Sequence, residues 1–172
     1  MRFNVAQILK ATTGASRRYE LDEDISGIDD DLQILSSLIG RVVFTHTLDE
    51  ILVTGRLSTV LQAACPRCLE SYPLDVEIDL EEEFVPSVDI WVGASLPISE
   101  QVDPGLVIDE HHVLDLSEVV RQYLVIAQTT CPSCRPDCAG LCSLCGQNLN
   151  LGQCSCSEVT LDPRLAVLKE LL

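Results

Sequence analysis

Between Tyr72 and Phe84 the chain alternates apolar and acidic positions: Tyr72, Leu74, Val76, Ile78, Leu80 and Phe84 share one parity, and Asp75, Glu77, Asp79, Glu81 and Glu83 the other. A period of two marks a strand with one face on a core and one in water. Upstream, Val42, Val43 and Phe44, then Ile51, Leu52 and Val53 followed by Leu57, Thr59 and Leu61, predict two further strands around a turn at Asp49-Glu50. Gly55 is a position for a bulge there. The tetrapeptide Cys65-Pro66-Arg67-Cys68 falls where the chain turns back into the alternating strand, so both cysteines are expected at the end of an antiparallel hairpin.

The remaining elements are read from weaker patterns. Residues 2–9 and the segment around Tyr19 predict two short strands joined by a turn at Thr12-Thr13-Gly14-Ala15-Ser16. Residues 28–38 open on three aspartates and predict either a short helix or an irregular approach to a strand. Residues 86–112, with Pro86, Pro97 and Pro104, predict a long connection anchored by Trp91. A helix is expected over 115–128, with Asp115 as its cap, Glu118 completing a capping box, and Leu116, Val119, Val120, Tyr123, Leu124 and Ala127 forming an apolar stripe. Asp162-Pro163 opens a short C-terminal helix with Leu165, Leu168 and Leu172 on one face.

These elements predict an α+β fold: a mainly antiparallel β-sheet, with a barrel-like closure as one form of it, a packing helix, a small cysteine-rich zinc-binding lobe and a short C-terminal helix. The expected division is a β-rich core domain over 1–130 and a cysteine-rich segment over 131–172.

Composition narrows the functional classes. The chain of 172 residues is 47% hydrophobic, enough for a core, and carries 27 acidic against 11 basic residues for a net charge of -16. Residues 65–130 alone hold 14 acidic and 2 basic residues. Affinity for nucleic acid comes largely from Lys and Arg on phosphates, so this balance opposes tight direct binding to RNA or DNA and favours a basic protein partner. Neither a secretory leader pattern nor a membrane-length apolar run is present, and the expected location is the cytoplasm.

In that compartment thiols are kept reduced, and clustered cysteines point to metal rather than disulfides. Nine cysteines occur, seven of them between Cys131 and Cys156. Cys142-Ser143-Leu144-Cys145-Gly146 has the form of a zinc knuckle, in which amides after the first cysteine turn toward its sulfur and glycine closes the turn. Cys154 and Cys156 follow across a stretch in which Asn148, Asn150 and Gly152 tolerate tight turning. The first expected metal site is therefore Cys142, Cys145, Cys154 and Cys156. A second, requiring a long-range meeting, is Cys65, Cys68, Cys134 and Cys138; Cys131 either substitutes for Cys134 or Cys138 or stays free. Four thiolates with no open position suit structural zinc, one ion or two. Iron-sulfur ligation fits the spacings less well, and zinc release on oxidation is an available alternative chemistry.

No phosphate loop, nucleophile elbow or His-Glu-x-x-His motif occurs, and His111 and His112 read as ordinary residues before a helix, so the expectation is a protein that is not an enzyme. Cys65–Glu70 (CPRCLE), Asp115–Leu124 (DLSEVVRQYL), the run CRPDCAGLCSLCGQNLN with its following CSC, and the closing DPRLAVLKELL together resemble the YceD family of large ribosomal RNA subunit accumulation proteins. The resemblance is strongest over 134–172 and 65–70. It implies a bacterial or organellar protein of ribosome assembly, needed for large-subunit ribosomal RNA to accumulate and without established enzymatic chemistry. Cys65, Cys68, Cys134, Cys138, Cys142, Cys145, Cys154 and Cys156 match the family pattern, and Cys131 is additional. The acidic face 75–83 would then meet a basic ribosomal protein or an assembly intermediate. The alternative function is a zinc- or redox-responsive regulator.

Overall fold

A computed structural model describes residues 1–130 and 132–156. In chain order its elements are β1 (Arg2–Asn4), α1 (Ala6–Leu9), β2 (Ser16–Glu23), β3 (Leu38–His46), β4 (Ile51–Ala64), β5 (Ser71–Pro86), a 3-10 turn (Pro104–Leu106), β6 (Val107–Ile108), β7 (Val113–Asp115) and α2 (Ser117–Thr129). They group into two compact units. One holds Met1–Ala63 and the described residues of Tyr72–Cys131; the other holds Ala64–Ser71 and the described residues of Pro132–Leu172.

The first unit is built on a five-stranded sheet in the order β2-β3-β4-β5-β6, antiparallel at the register-defined pairs β2-β3 and β3-β4 and parallel where β6 joins β5. The expected alternation holds along β5: Leu74, Val76, Ile78, Leu80 and Phe84 are buried while Asp75, Glu77, Asp79, Glu81 and Glu83 are exposed. Among the described residues the sheet does not close into a barrel. The two ends of the sheet stay unpaired with each other, because β6 is only two residues long and β2 exposes Arg17, Arg18, Glu20, Asp22 and Glu23. Charge along an edge strand discourages further pairing. Gly55 is not a bulge either, since it stands in regular register opposite Val42. Its role is close approach: a Cβ there would lie 2.5 Å from the Arg41 carbonyl oxygen.

The N-terminal expectation holds only in part: strands form at Arg2–Asn4 and around Tyr19, but not as a pair. Residues 2–9 do not form a strand paired with β2; β1 pairs antiparallel with β7 and gives way to α1. Val5, Ile8 and Leu9 are all buried, and their i, i+3, i+4 spacing is helical, which a reading of weak alternation missed. Residues 28–37 take the irregular option, because the Asp29 carboxylate captures the Asp31 amide at 2.9 Å and favours a turn over a helix.

α2 carries the stripe the sequence predicts, with Leu116, Val119, Val120 and Leu124 buried and Tyr123 and Ala127 packed beside them. Its start differs. Asp115 ends β7 and accepts from the Ser117 N–H at 2.9 Å, while Glu118 grips Arg121 at 2.7 and 2.9 Å instead of reaching back to close a capping box. Trp91 is not the expected buried anchor among the described residues: it is 73% exposed, at the tip of a turn whose Asp89 carboxylate accepts from the amides of both Trp91 and Val92. Among the described residues no helix is long and apolar enough to cross a membrane. The C-terminal helix expected from Asp162 lies outside the described residues.

Candidate metal centres

The second unit begins with the loop joining β4 to β5. The Cys65 N–H donates to the Glu70 carbonyl and the Leu69 N–H to the Cys65 carbonyl, each at 2.9 Å, and Leu69 closes the turn at a φ of 61°. Non-glycine residues rarely adopt that conformation, so the turn is held by its surroundings. Gly140, at φ 76°, is required for one of those surroundings: a Cβ on it would stand 3.2 Å from the Arg67 carbonyl oxygen.

This packing brings Cys134 and Cys138 to the loop. The Sγ atoms of Cys65 and Cys138 lie 3.9 Å apart and those of Cys68 and Cys134 3.7 Å, and all four sulfurs fall within 4.8 Å of one another. A tetrahedral ion with metal-sulfur bonds of about 2.3 Å needs sulfurs roughly 3.8 Å apart, which these spacings match. Cys65, Cys68 and Cys138 are 0%, 4% and 1% exposed, and Cys134 is half-buried.

The second tetrad is Cys142, Cys145, Cys154 and Cys156, again with all sulfurs within 4.8 Å. The knuckle forms as its sequence predicts: the Leu144 N–H points at the Cys142 sulfur at 3.4 Å, the Gly146 N–H donates to the Cys142 carbonyl at 2.9 Å, and Gly146 takes a φ of 74°. Cys154 lies 3.4 Å from Cys142, sulfur to sulfur. This site is more open, with Cys145 and Cys156 exposed. Cys131 lies outside the described residues.

Electrostatics divide the sulfurs in each tetrad. Burial opposes ionisation of Cys65, yet amides from Cys134, Cys68 and Arg67 outweigh it and bring its pKa down to about 6. Burial and the neighbouring thiols push Cys134 up to about 12. In the second tetrad the Cys145 and Leu144 amides hold Cys142 down to about 6, while the hydrogen-bonded Cys145 sulfur, then burial, raise Cys156 to about 12. Each tetrad so combines an available thiolate with thiols whose protons a divalent cation would displace.

Two residues read only as turn-formers prove to support the first tetrad. Asn150 donates from Nδ2 to the Cys138 sulfur at 3.4 Å, the leading cause of that thiol's lowered pKa, and Asn148 supports it. Asparagine flanking a leucine between two cysteine pairs carries no local pattern from which this contact could be read.

A family described as large ribosomal RNA subunit accumulation protein YceD matches residues 53–172. The chain belongs to the YceD family. Among relatives, an uncharacterised protein of Mycobacterium tuberculosis strain H37Rv is 32% identical over 123 residues, covering 71% of this chain and 56% of that protein. A Mycobacterium leprae protein, also uncharacterised, is 29% identical over 101 residues, 59% of this chain and 44% of its own length. A maize protein called large ribosomal RNA subunit accumulation protein YCED homolog 1, chloroplastic, is 28% identical over 134 residues, covering 65% of this chain and 46% of the homolog. This YceD chain thus spans only about half the length of the curated relatives it matches. No solved structure matches it. Both cysteine tetrads lie inside the stretch that identifies the family.

Proposed function

We propose that this YceD protein is a non-enzymatic ribosome-biogenesis factor that promotes accumulation or maturation of large-subunit ribosomal RNA in the cytoplasm, with two structural zinc ions shaping its second unit. The family match over 53–172 supports the ribosomal role. The single observation behind the zinc is what the second unit buries. No described residue of 64–71 or 132–156 belongs to the hydrophobic core cluster, whereas Cys65, Cys68 and Cys138 are buried there. A segment without an apolar core of its own needs another source of cohesion, and four-thiolate zinc supplies it. Zinc would be held by Cys65, Cys68, Cys134 and Cys138, and by Cys142, Cys145, Cys154 and Cys156.

The acidic face of β5 is the proposed contact for a basic ribosomal protein or assembly intermediate. Of its five exposed carboxylates, Asp79 is engaged by Arg56 at 2.8 Å. Reversing Asp75, Glu77 and Glu81 to lysine should reduce crosslinks to basic proteins in cells and lower the yield of large-subunit ribosomal RNA. Dominant crosslinks to RNA, unchanged by the reversal, would refute protein-mediated action.

The exposure of Cys145 and Cys156 favours one second reading, a redox-responsive regulator that releases metal from the outer tetrad. Native mass spectrometry under mild peroxide separates the two, because a structural ion stays bound where a switch would lose it.

A further inference from the structure

The stretch between Cys145 and Cys154 belongs by sequence to the second tetrad, but its side chains are built into the first. Asn150 uses its whole amide: Oδ1 accepts from the Ala139 N–H at 2.7 Å and from the Arg135 guanidinium at 2.6 Å, while Nδ2 donates to the Cys138 sulfur at 3.4 Å and to Asn148 Oδ1 at 2.8 Å. Asn148 in turn donates to Glu70, two positions after Cys68, at 3.2 Å. Backbone bonds hold the stretch in place, from the Leu149 N–H to the Gly140 carbonyl at 2.9 Å and from the Cys142 N–H to the Gln147 carbonyl at 2.8 Å. Arg135 lies between the ligands Cys134 and Cys138, and Ala139 directly follows the second of them.

We propose that the two tetrads bind metal cooperatively and that Asn150 is the positioning residue that couples them. The proposal rests on the reading of both tetrads as metal sites. A metal ion in the second tetrad fixes the chain at Cys145 and at Cys154, so the intervening residues are ordered before the first tetrad fills. Without it, the cost of ordering Asn150 falls on the first tetrad's own affinity. The amide also serves charge. Four thiolates around a dication leave two net negative charges, and a donor to sulfur disperses part of that excess. Linkage requires the effect to be mutual, so filling the first tetrad tightens the second by the same factor.

The test is a chelator-competition titration of the full chain with cobalt(II), followed through its thiolate charge-transfer absorbance and repeated with zinc. Asn150→Ala should weaken the first tetrad about 10- to 100-fold, the usual range for loss of a ligand's supporting partner. The pair Cys142→Ser with Cys145→Ser, which disables the second tetrad, should weaken the first to a similar degree. Combining all three substitutions should add little, because both routes remove the same ordered amide. Asn150→Asp keeps the acceptors for Ala139 and Arg135 but cannot donate to sulfur, so it should lose at least as much as alanine. Amide protection across β3 and β4 confirms in each variant that the sheet is intact. Losses that add in full, or an aspartate that restores wild-type affinity, would overturn the coupling while leaving two metal sites. A wild-type chain that takes up no cobalt or zinc would overturn the metal reading itself.

Discussion

The hydroxyl of Tyr123 on α2 donates to Glu82 Oε1 on β5 at 3.1 Å. Glu82 stands on the inward parity of its strand, between Leu80 and Phe84, where every other side chain from Leu74 onward is apolar and buried. A carboxylate at such a position needs a donor, and the helix provides it.

Tyr123→Phe should therefore destabilise the first unit by about 1–2 kcal/mol, between the net value of an ordinary hydrogen bond and that of one to a charged group, read as a lower urea midpoint with unchanged slope. The interaction also has a pH signature. Burial, then Glu82, raise the Tyr123 pKa above its ordinary value. A raised folded pKa stabilises fully below the unfolded value near 10 and is lost as pH rises through the folded one. Spectrophotometric titration should find a late-ionising phenol that is lost in the phenylalanine variant.

Glycine positions give a paired prediction. At Gly55 a Cβ would meet the Arg41 carbonyl oxygen at 2.5 Å and Val42 Cγ1 at 2.8 Å, both on the neighbouring strand, whereas at Gly27 it would meet nothing within 4 Å. Gly55→Ala should cost about 1–3 kcal/mol, the range for overpacking. Gly27→Ala should be neutral or stabilising by about 0.4–1 kcal/mol, through the entropy of the unfolded chain. Thermal melts of the two variants test the contrast.

The strands were legible wherever one face is buried and the other wet, because the period of two is then written in the residues themselves. β5 shows it throughout, from Leu74 to Phe84. β1 is too short to carry a period, and its partner β7 lies more than a hundred residues away, a pairing no local pattern encodes. The same distinction governs the cysteines. Cys142 and Cys145 announce their knuckle within five residues, while the meeting of Cys65 and Cys68 with Cys134 and Cys138 depends on the turn at Leu69 and the clearance at Gly140. Closure of the sheet was not legible because it turns on its edges, and the charge along β2 acts there by disfavouring partners.

Arg121 joins two carboxylates distant in sequence, binding Glu118 at 2.7 Å and Asp29 at 3.0 Å. The Arg121 hydrogen bonds lower the Glu118 pKa, and the Asp31 amide followed by Arg121 lowers that of Asp29. Depressed folded values mean that this stabilisation is present above the ordinary carboxylate range, near pH 4, and is lost as pH falls through the folded values. Carboxyl NMR titration should show both groups ionising below their ordinary range. In Arg121→Met, Glu118 should return to that range, and Asp29 should move toward it while keeping the part due to the Asp31 amide.

Metal removal should separate the two units. The hydrophobic core cluster runs from Val5 to Leu124 and includes no described residue of 64–71 or 132–156, so on the proposed zinc reading a strong chelator should cost one unit its cohesion and leave the apolar core of the other. Hydrogen exchange should show protection collapsing at Cys65, Leu69, Cys142, Gly146 and Leu149, whose amides all donate within the second unit, while Val42, Val53 and Ile78 keep theirs. Single substitutions should rank by burial. Cys65→Ser, at a sulfur with no exposure and an amide donor from Cys134 at 3.4 Å, should abolish one equivalent of zinc and loosen the loop between β4 and β5. Cys145→Ser, at an exposed ligand, should lower zinc affinity with less loss of protection, because water can take the vacated position. Elemental analysis of the reduced protein should give two zinc equivalents in the wild type and one in Cys65→Ser; equal protection in wild-type chains with and without metal would contradict a structural role.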